Sequence, residues 1–195
     1  MQPLVVMPQS IIDTLAVTLL PHQAFNTIAS GDRVFLTNNP EIARYTGRLV
    51  IHSGRYASAD ELEAGYQQLK AAGWSEEDAP PLILLGYCRI KSGSTKEYDE
   101  KLFQKNRARH SMPDLTIDAL KRRLNWQQVW GLHISDPHWA IEPVVRVREL
   151  PGEEVENFLF WQPNQPYEYE AFKMLFDKKR SLPFQEALDI IYPSD

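Results

Sequence analysis

Apolar positions in this chain fall in short blocks, and the blocks predict short strands with helices between and after them. Residues 15–20 form an apolar, β-branched run, the pattern of a buried strand. Pro21 suits a first helical position, Ala24, Phe25, Ile28 and Ala29 recur at helical spacing, and Gly31 supplies a stop. A second strand is expected over 33–38, closed by Asn39 and Pro40. The chain is organised around the next block. Leu49, Val50, Ile51 and His52 stand between Gly47 and Gly54, with Arg44, Arg48 and Arg55 on the flanks. The block predicts a strand buried on both faces, with the arginines crowding its ends because a guanidinium does not enter a core unpaired.

Ser58 and Glu61 are spaced as a capping box, in which the hydroxyl takes the N3 amide and the carboxylate reaches back to the cap amide. The helix it opens carries Leu62, Tyr66 and Leu69 and ends at Gly73. Residues 82–90 are the most hydrophobic segment, a central strand in which Gly86 permits a bulge or bend. Residues 91–125 read as an excursion, with one helix near 96–108, a break at Pro113 and a second helix from about 115. A strand is expected over 128–135, a turn at Asp136 and Pro137, and an edge strand over 141–148 that tolerates Pro143. Two helices are expected over 167–176 and 184–191. The strands at 33–38 and 48–52 lie too close for a helical crossover. The pattern therefore predicts an α+β, mainly β fold: a small mixed barrel with peripheral helices, not a doubly wound sheet.

Charge changes this picture in one respect. The net charge of −5 over 195 residues arises entirely from residues 151–195, where 4 Lys and Arg face 9 Asp and Glu; residues 1–150 are balanced. Overall acidity thus does not exclude an anionic partner. Within 101–123, Lys101, Lys105, Arg107, Arg109, Lys121, Arg122 and Arg123 face only Asp114 and Asp118, a local +5 that suits phosphate backbones. No apolar run approaches the roughly 18 residues that a membrane span requires. The first eight residues lack a leader pattern, and the single cysteine, Cys88, suits a reducing compartment. A cytoplasmic protein is expected.

Candidate chemistry is sparse. His133, Asp136 and His138 are metal-capable types, but a strand-to-turn geometry aims the imidazoles apart and no cysteine supports them, so no metal is expected. Cys88 lies in the apolar central strand, where a thiol is inert packing. No serine lies in a nucleophile-elbow pattern and no Gly-x-x-x-x-Gly-Lys loop is present. Trp139, beside the expected turn, is the best-placed aromatic for stacking on an unpaired base.

The order Ser30-Gly-Asp-Arg33, Tyr45-Thr-Gly-Arg-Leu-Val-Ile-His-Ser53, Leu84-Leu-Gly-Tyr-Cys-Arg-Ile90, Trp130-Gly-Leu-His-Ile134 and Ile141-Glu-Pro-Val144 resembles the ASCH domain family of the PUA-like superfamily. The resemblance covers about residues 14–148, leaving 151–195 as an acidic, mostly helical C-terminal extension packed on or beside that domain. It implies a β-barrel with a helix-bordered cleft that binds RNA or a nucleotide-like ligand. On that reading Arg33, Arg48 and Arg55 meet phosphate, His52 and Asn38 read polar edges, Trp139 stacks, and the 101–123 patch extends the footprint. The family motif Gly-x-Lys-x-x-Glu-x-Arg is retained at Gly31, while Arg33, Leu36 and Asn38 replace its Lys, Glu and Arg. Some ASCH proteins deacetylate acetylcytidine with a Lys, a Thr and a downstream Glu, of which the Lys and Thr fall here at Arg33 and Leu36. Arg does not deprotonate near neutral pH and Leu has no hydroxyl, so that activity, and any catalytic residue, is not expected. Neither is a cofactor. Two alternatives remain: a hydrolase for a modified nucleoside using Asp114 or Asp118, and a protein-interaction role for the acidic extension.

Overall fold

The computed structural model describes residue 11 and residues 13–110, 114–144 and 159–193. Among the described residues, eight strands make one mixed sheet: β1 (Leu15–Leu19), β2 (Val34–Thr37), β3 (Gly47–Ser53), β4 (Ile83–Ile90), β5 (Lys96–Glu97), β6 (Trp130–Val144), β7 (Leu159–Trp161) and β8 (Ser181–Pro183). The order β2-β6-β4-β3-β1-β7 carries the organising block, β3, at its interior, parallel to β1 and antiparallel to β4. β5 and β8 are added along β6. The sheet curls into a half-barrel. Phe35 of β2 and Phe160 of β7, from opposite ends of the strand order, meet edge to face with centroids 6.3 Å apart.

Alternation along the strands, shifted by one residue at the Gly86 irregularity of β4, sorts side chains into two cores. Val17 and Leu19, Leu49 and Ile51, and Leu85 and Cys88 pack inside the curl. Helix α1 (Pro21–Ser30) adds Phe25 and Ile28 to that core, and α8 (Phe184–Ile191) adds Ala187. Ala16, Val50, Leu84 and Tyr87 face outward and are covered by Ala171, Phe172 and Leu175 of α7 (Pro166–Leu175). The acidic C-terminal stretch therefore contributes two strands to the sheet and helices to both cores.

Local signals explain several element ends. Pro21 takes the N1 position of α1, and Gly31 closes it in the left-handed region at φ 59°. Helix α2 (Pro40–Ala43) is a single turn capped by Asn39. In α3 (Ala59–Ala71) the Ser58 hydroxyl accepts from Glu61 N at 3.1 Å as expected; the Glu61 carboxylate accepts from Ala57 N, one residue beyond the cap amide. A 3₁₀ turn over Glu76–Asp78 precedes β4. At Gly86 any Cβ would collide with the carbonyl oxygen of His138, which accounts for the glycine and the register shift beside it.

The excursion differs from its sequence pattern. The expected single helix near 96–108 is instead β5, then α4 (Glu100–Lys105) capped by the Asp99 carboxylate, then α5 (Arg107–His110), with Asn106 at the break. Helix α6 (Ile117–Leu124) follows its Thr116 cap. Val34 and Leu36 on the other face of β2, with Tyr98, Phe103, Ile117 and Leu120, form a third core that anchors the excursion.

The turn expected at Asp136 and Pro137 is also corrected: β6 runs unbroken through both, and Asp136 takes a positive φ of 50° where the register with β4 shifts. A bulge absorbs the extra residue, so the strand bends instead of reversing. Residues 141–144, expected on an edge strand, continue β6, where Val144 pairs with Leu84. The expectations placed on residues 145–148, Pro113, the first eight residues and the boundary between 148 and 151 lie outside the described residues. Among the described residues, no helix is long and apolar enough to cross a membrane.

Candidate phosphate-binding cleft

Of the side chains singled out from the sequence, His52 and Trp139 lie on opposite faces of the sheet. His52 is fully buried on the outer face of β3, where Nδ1 lies 3.0 Å from the Thr18 hydroxyl and the ring meets Trp161 edge to face. The Trp161 indole N–H donates to the same hydroxyl at 2.9 Å. Trp139 is buried inside the curl, against Phe25 and Phe184. Arg48 lies over the Phe176 and Tyr87 rings, its guanidinium carbon 4.4 and 5.4 Å from their centroids. Asn38, Arg44 and Arg55 are exposed.

Arg33 has gone inside. It is 7% exposed, with Nη1 donating to the Thr27 hydroxyl at 3.0 Å and to Gln23 O at 3.3 Å, both on α1. Burial lowers its pKa to about 10, so it keeps its proton at neutral pH. These acceptors offset the cost of desolvating the guanidinium, which the resemblance had assigned to phosphate.

Arg33 lines a cavity of about 460 Å³, with Thr27 and Ser30 of α1, Asp32, the Trp74 ring, and Ala108 and Arg109 of α5. Arg109 also borders a second cavity of about 410 Å³, lined by Ser94, Lys96 of β5, Lys105 and Asn106 at the end of α4, and His133 of β6. Arg109 thus stands between two recesses. It is fixed from two sides: Nη1 donates to Asn106 Oδ1 at 3.2 Å, and Nη2 pairs with Asp32. Asn106 is itself held, Nδ2 donating to Leu102 O at 2.9 Å.

Strand pairing explains the rest of the geometry. Lys96 sits opposite Gly131, and the bare glycine leaves room for the Tyr98 ring, whose hydroxyl lies 3.0 Å from His133 Nε2. The pKa of His133 is lowered, first by burial and then by Arg109 and Lys96, against a smaller opposing effect of Asp32. The imidazole therefore senses a positive field from the walls around it. Neither Lys96 nor Lys105 has an ion-pair partner among the described residues.

Of the patch read from the sequence, Lys105 and Arg109 line this cleft; Lys101, Arg107, Arg122 and Arg123 are exposed and Lys121 half-buried. Asp114 and Asp118, the acids of the hydrolase alternative, are exposed and line neither cavity. Leu36, at the motif's Glu position, points into the third core. Sequence reasoning missed Lys96, His133 and Trp74 as cleft residues. Extending the charge window back to residue 91 would have captured Lys96; the other two carried no local signal. Among the described residues, no three His, Cys, Asp or Glu side chains cluster as metal ligands. In comparison with known proteins, no family model matches the chain and no curated protein matches it.

Proposed function

We propose that this protein is a binding module that holds RNA or a nucleotide-like ligand by its phosphates in the cleft around Arg109, on an ASCH-type, PUA-like half-barrel. The observation that carries the reading is the cavity lined by Lys96, Lys105 and Arg109, with two of the three cations lacking an anionic partner among the described residues. A concave cationic surface focuses field lines and concentrates phosphate-bearing ligands. The neighbouring cavity suits the ligand's ring: Trp74 lines it and brings an indole for stacking, with buried Arg33 in the same wall. Exposed cations at Lys101, Arg107, Arg122 and Arg123 extend the attraction beyond the cleft.

Anisotropy titrations of labelled single-stranded and duplex RNA at two salt concentrations test this. Counterion release predicts affinity falling steeply with salt, and Lys96→Ala with Lys105→Ala should flatten the single-strand slope by roughly 0.7 for each phosphate that is no longer neutralised. If neither RNA binds at low salt, and no mononucleotide does, the reading is overturned. The acidic C-terminal stretch then becomes the candidate surface, for a protein partner.

A further inference from the structure

The cations of the second cavity come from three separate segments and converge on one recess: Lys96 from β5, Lys105 from the last turn of α4 and Arg109 from α5. A surface that tracks a nucleic-acid backbone presents its cations in a row, one per successive phosphodiester, each a single negative charge. Three cations gathered around one recess suit a single group of higher charge. With Asp32 set against Arg109, the local balance of the four side chains is +2. A phosphate monoester carries about −1.5 to −2 near pH 7, so its charge matches that balance where a diester leaves it half neutralised.

The recess is also ready-made. Asn106 and Asp32 hold the Arg109 guanidinium from two sides, so little side-chain freedom remains to be lost there. Ser94 is anchored through its hydroxyl to Lys91 O at 2.7 Å, fixing the loop that leads into β5. Among the described residues, Asp32 is the one carboxylate paired to a cation of this cavity, and no carboxylate lines it. Resting on the functional reading above, we propose that Lys96, Lys105 and Arg109 form a subsite for a phosphate monoester, the terminal phosphate of a strand or of a free nucleotide. The Trp74 cavity on the other side of Arg109 then receives the terminal nucleoside.

The test compares two otherwise identical short single-stranded RNAs, one with a 5′-phosphate and one with a 5′-hydroxyl, and separately adenosine monophosphate against adenosine. A second pair carrying the phosphate or hydroxyl at the 3′ end covers the other polarity. One charge-assisted hydrogen bond is worth roughly a tenfold change in affinity, so the phosphorylated member should bind about tenfold tighter. Lys96→Ala combined with Lys105→Ala should erase that preference, with thermal melting verifying that the protein remains folded. Preference in the RNA pairs assigns the site to strand ends; preference in the nucleoside pair alone assigns it to free nucleotides. Equal binding of phosphorylated and unphosphorylated ligands overturns the monoester subsite while leaving RNA binding in place. Binding of none of these ligands overturns both.

Discussion

His22 provides a stability test that depends on the structure alone. It lies in the first turn of α1, is 5% exposed, and faces the Tyr56 hydroxyl, which is 3.2 Å from Nδ1 and accepts the His22 backbone N–H at 3.3 Å. The pKa is lowered from 6.5 to about 4, first by burial and then by nearby Arg33, against a smaller opposing effect of Glu61 on α3. Between those values the unfolded chain binds a proton that the folded chain refuses, so acid favours unfolding. The contribution is fully present above pH 6.5 and is lost as pH falls through about 4. Linkage gives about 2 kcal/mol lost at pH 5, closer to ~1 once water beside half-buried Tyr56 is allowed for. His22→Gln removes the titrating group. Urea unfolding followed by tryptophan fluorescence at pH 7.5, 6.0 and 5.0 should show the wild type losing about 1–2 kcal/mol more than the variant across that range. Other groups titrate equally in both proteins, so the difference isolates His22. Parallel loss in the two would refute the reasoning.

Three further outcomes follow from the packing. Trp139→Ala empties a site between Phe25 and Phe184 and should cost about 3–5 kcal/mol in denaturant unfolding, while the folded variant keeps its RNA affinity. Arg48→Ala removes the guanidinium from the Phe176 and Tyr87 faces and should cost about 1 kcal/mol, again without affecting RNA binding. Burial pushes the Cys88 thiol well above its ordinary pKa; a thiol reagent should label it only at the rate of unfolding, and rapid labelling of the native protein would contradict its place in the core.

Elements with their own punctuation were legible in the sequence. Pro21 and Gly31 mark α1 to the residue, and Gly47 with Gly54 brackets a strand hydrogen-bonded on both sides. Gly86 announced an irregularity, because no side chain fits beside His138 O. Asp136 and Pro137 misled: the pair reads as a turn, yet neighbours on β4 and β8 keep β6 extended and convert it to a bulge. The cleft was legible only as charge. Lys105 and Arg109 stood out by composition, but His133 reaches Lys96 through the pairing of β5 with β6, and Asp32 reaches Arg109 across 77 residues. Arg33 was expected outside because its acceptors on α1 exist only once the helix packs beside β2. Arg48 was assigned to phosphate from its place at the strand end and the resemblance; Phe176, 128 positions away, gives no local sign that its ring will meet the guanidinium.

A two-dimensional amide and indole NMR titration with a short 5′-phosphorylated RNA locates the ligand. Shifts should concentrate at Ser94, Lys96, Asn106, Arg109 and His133, with a second group at Thr27, Asp32 and the Trp74 indole. Shifts centred on Arg48, His52 and Arg55 with the Arg109 cleft silent, or no shifts at low salt, would contradict binding there.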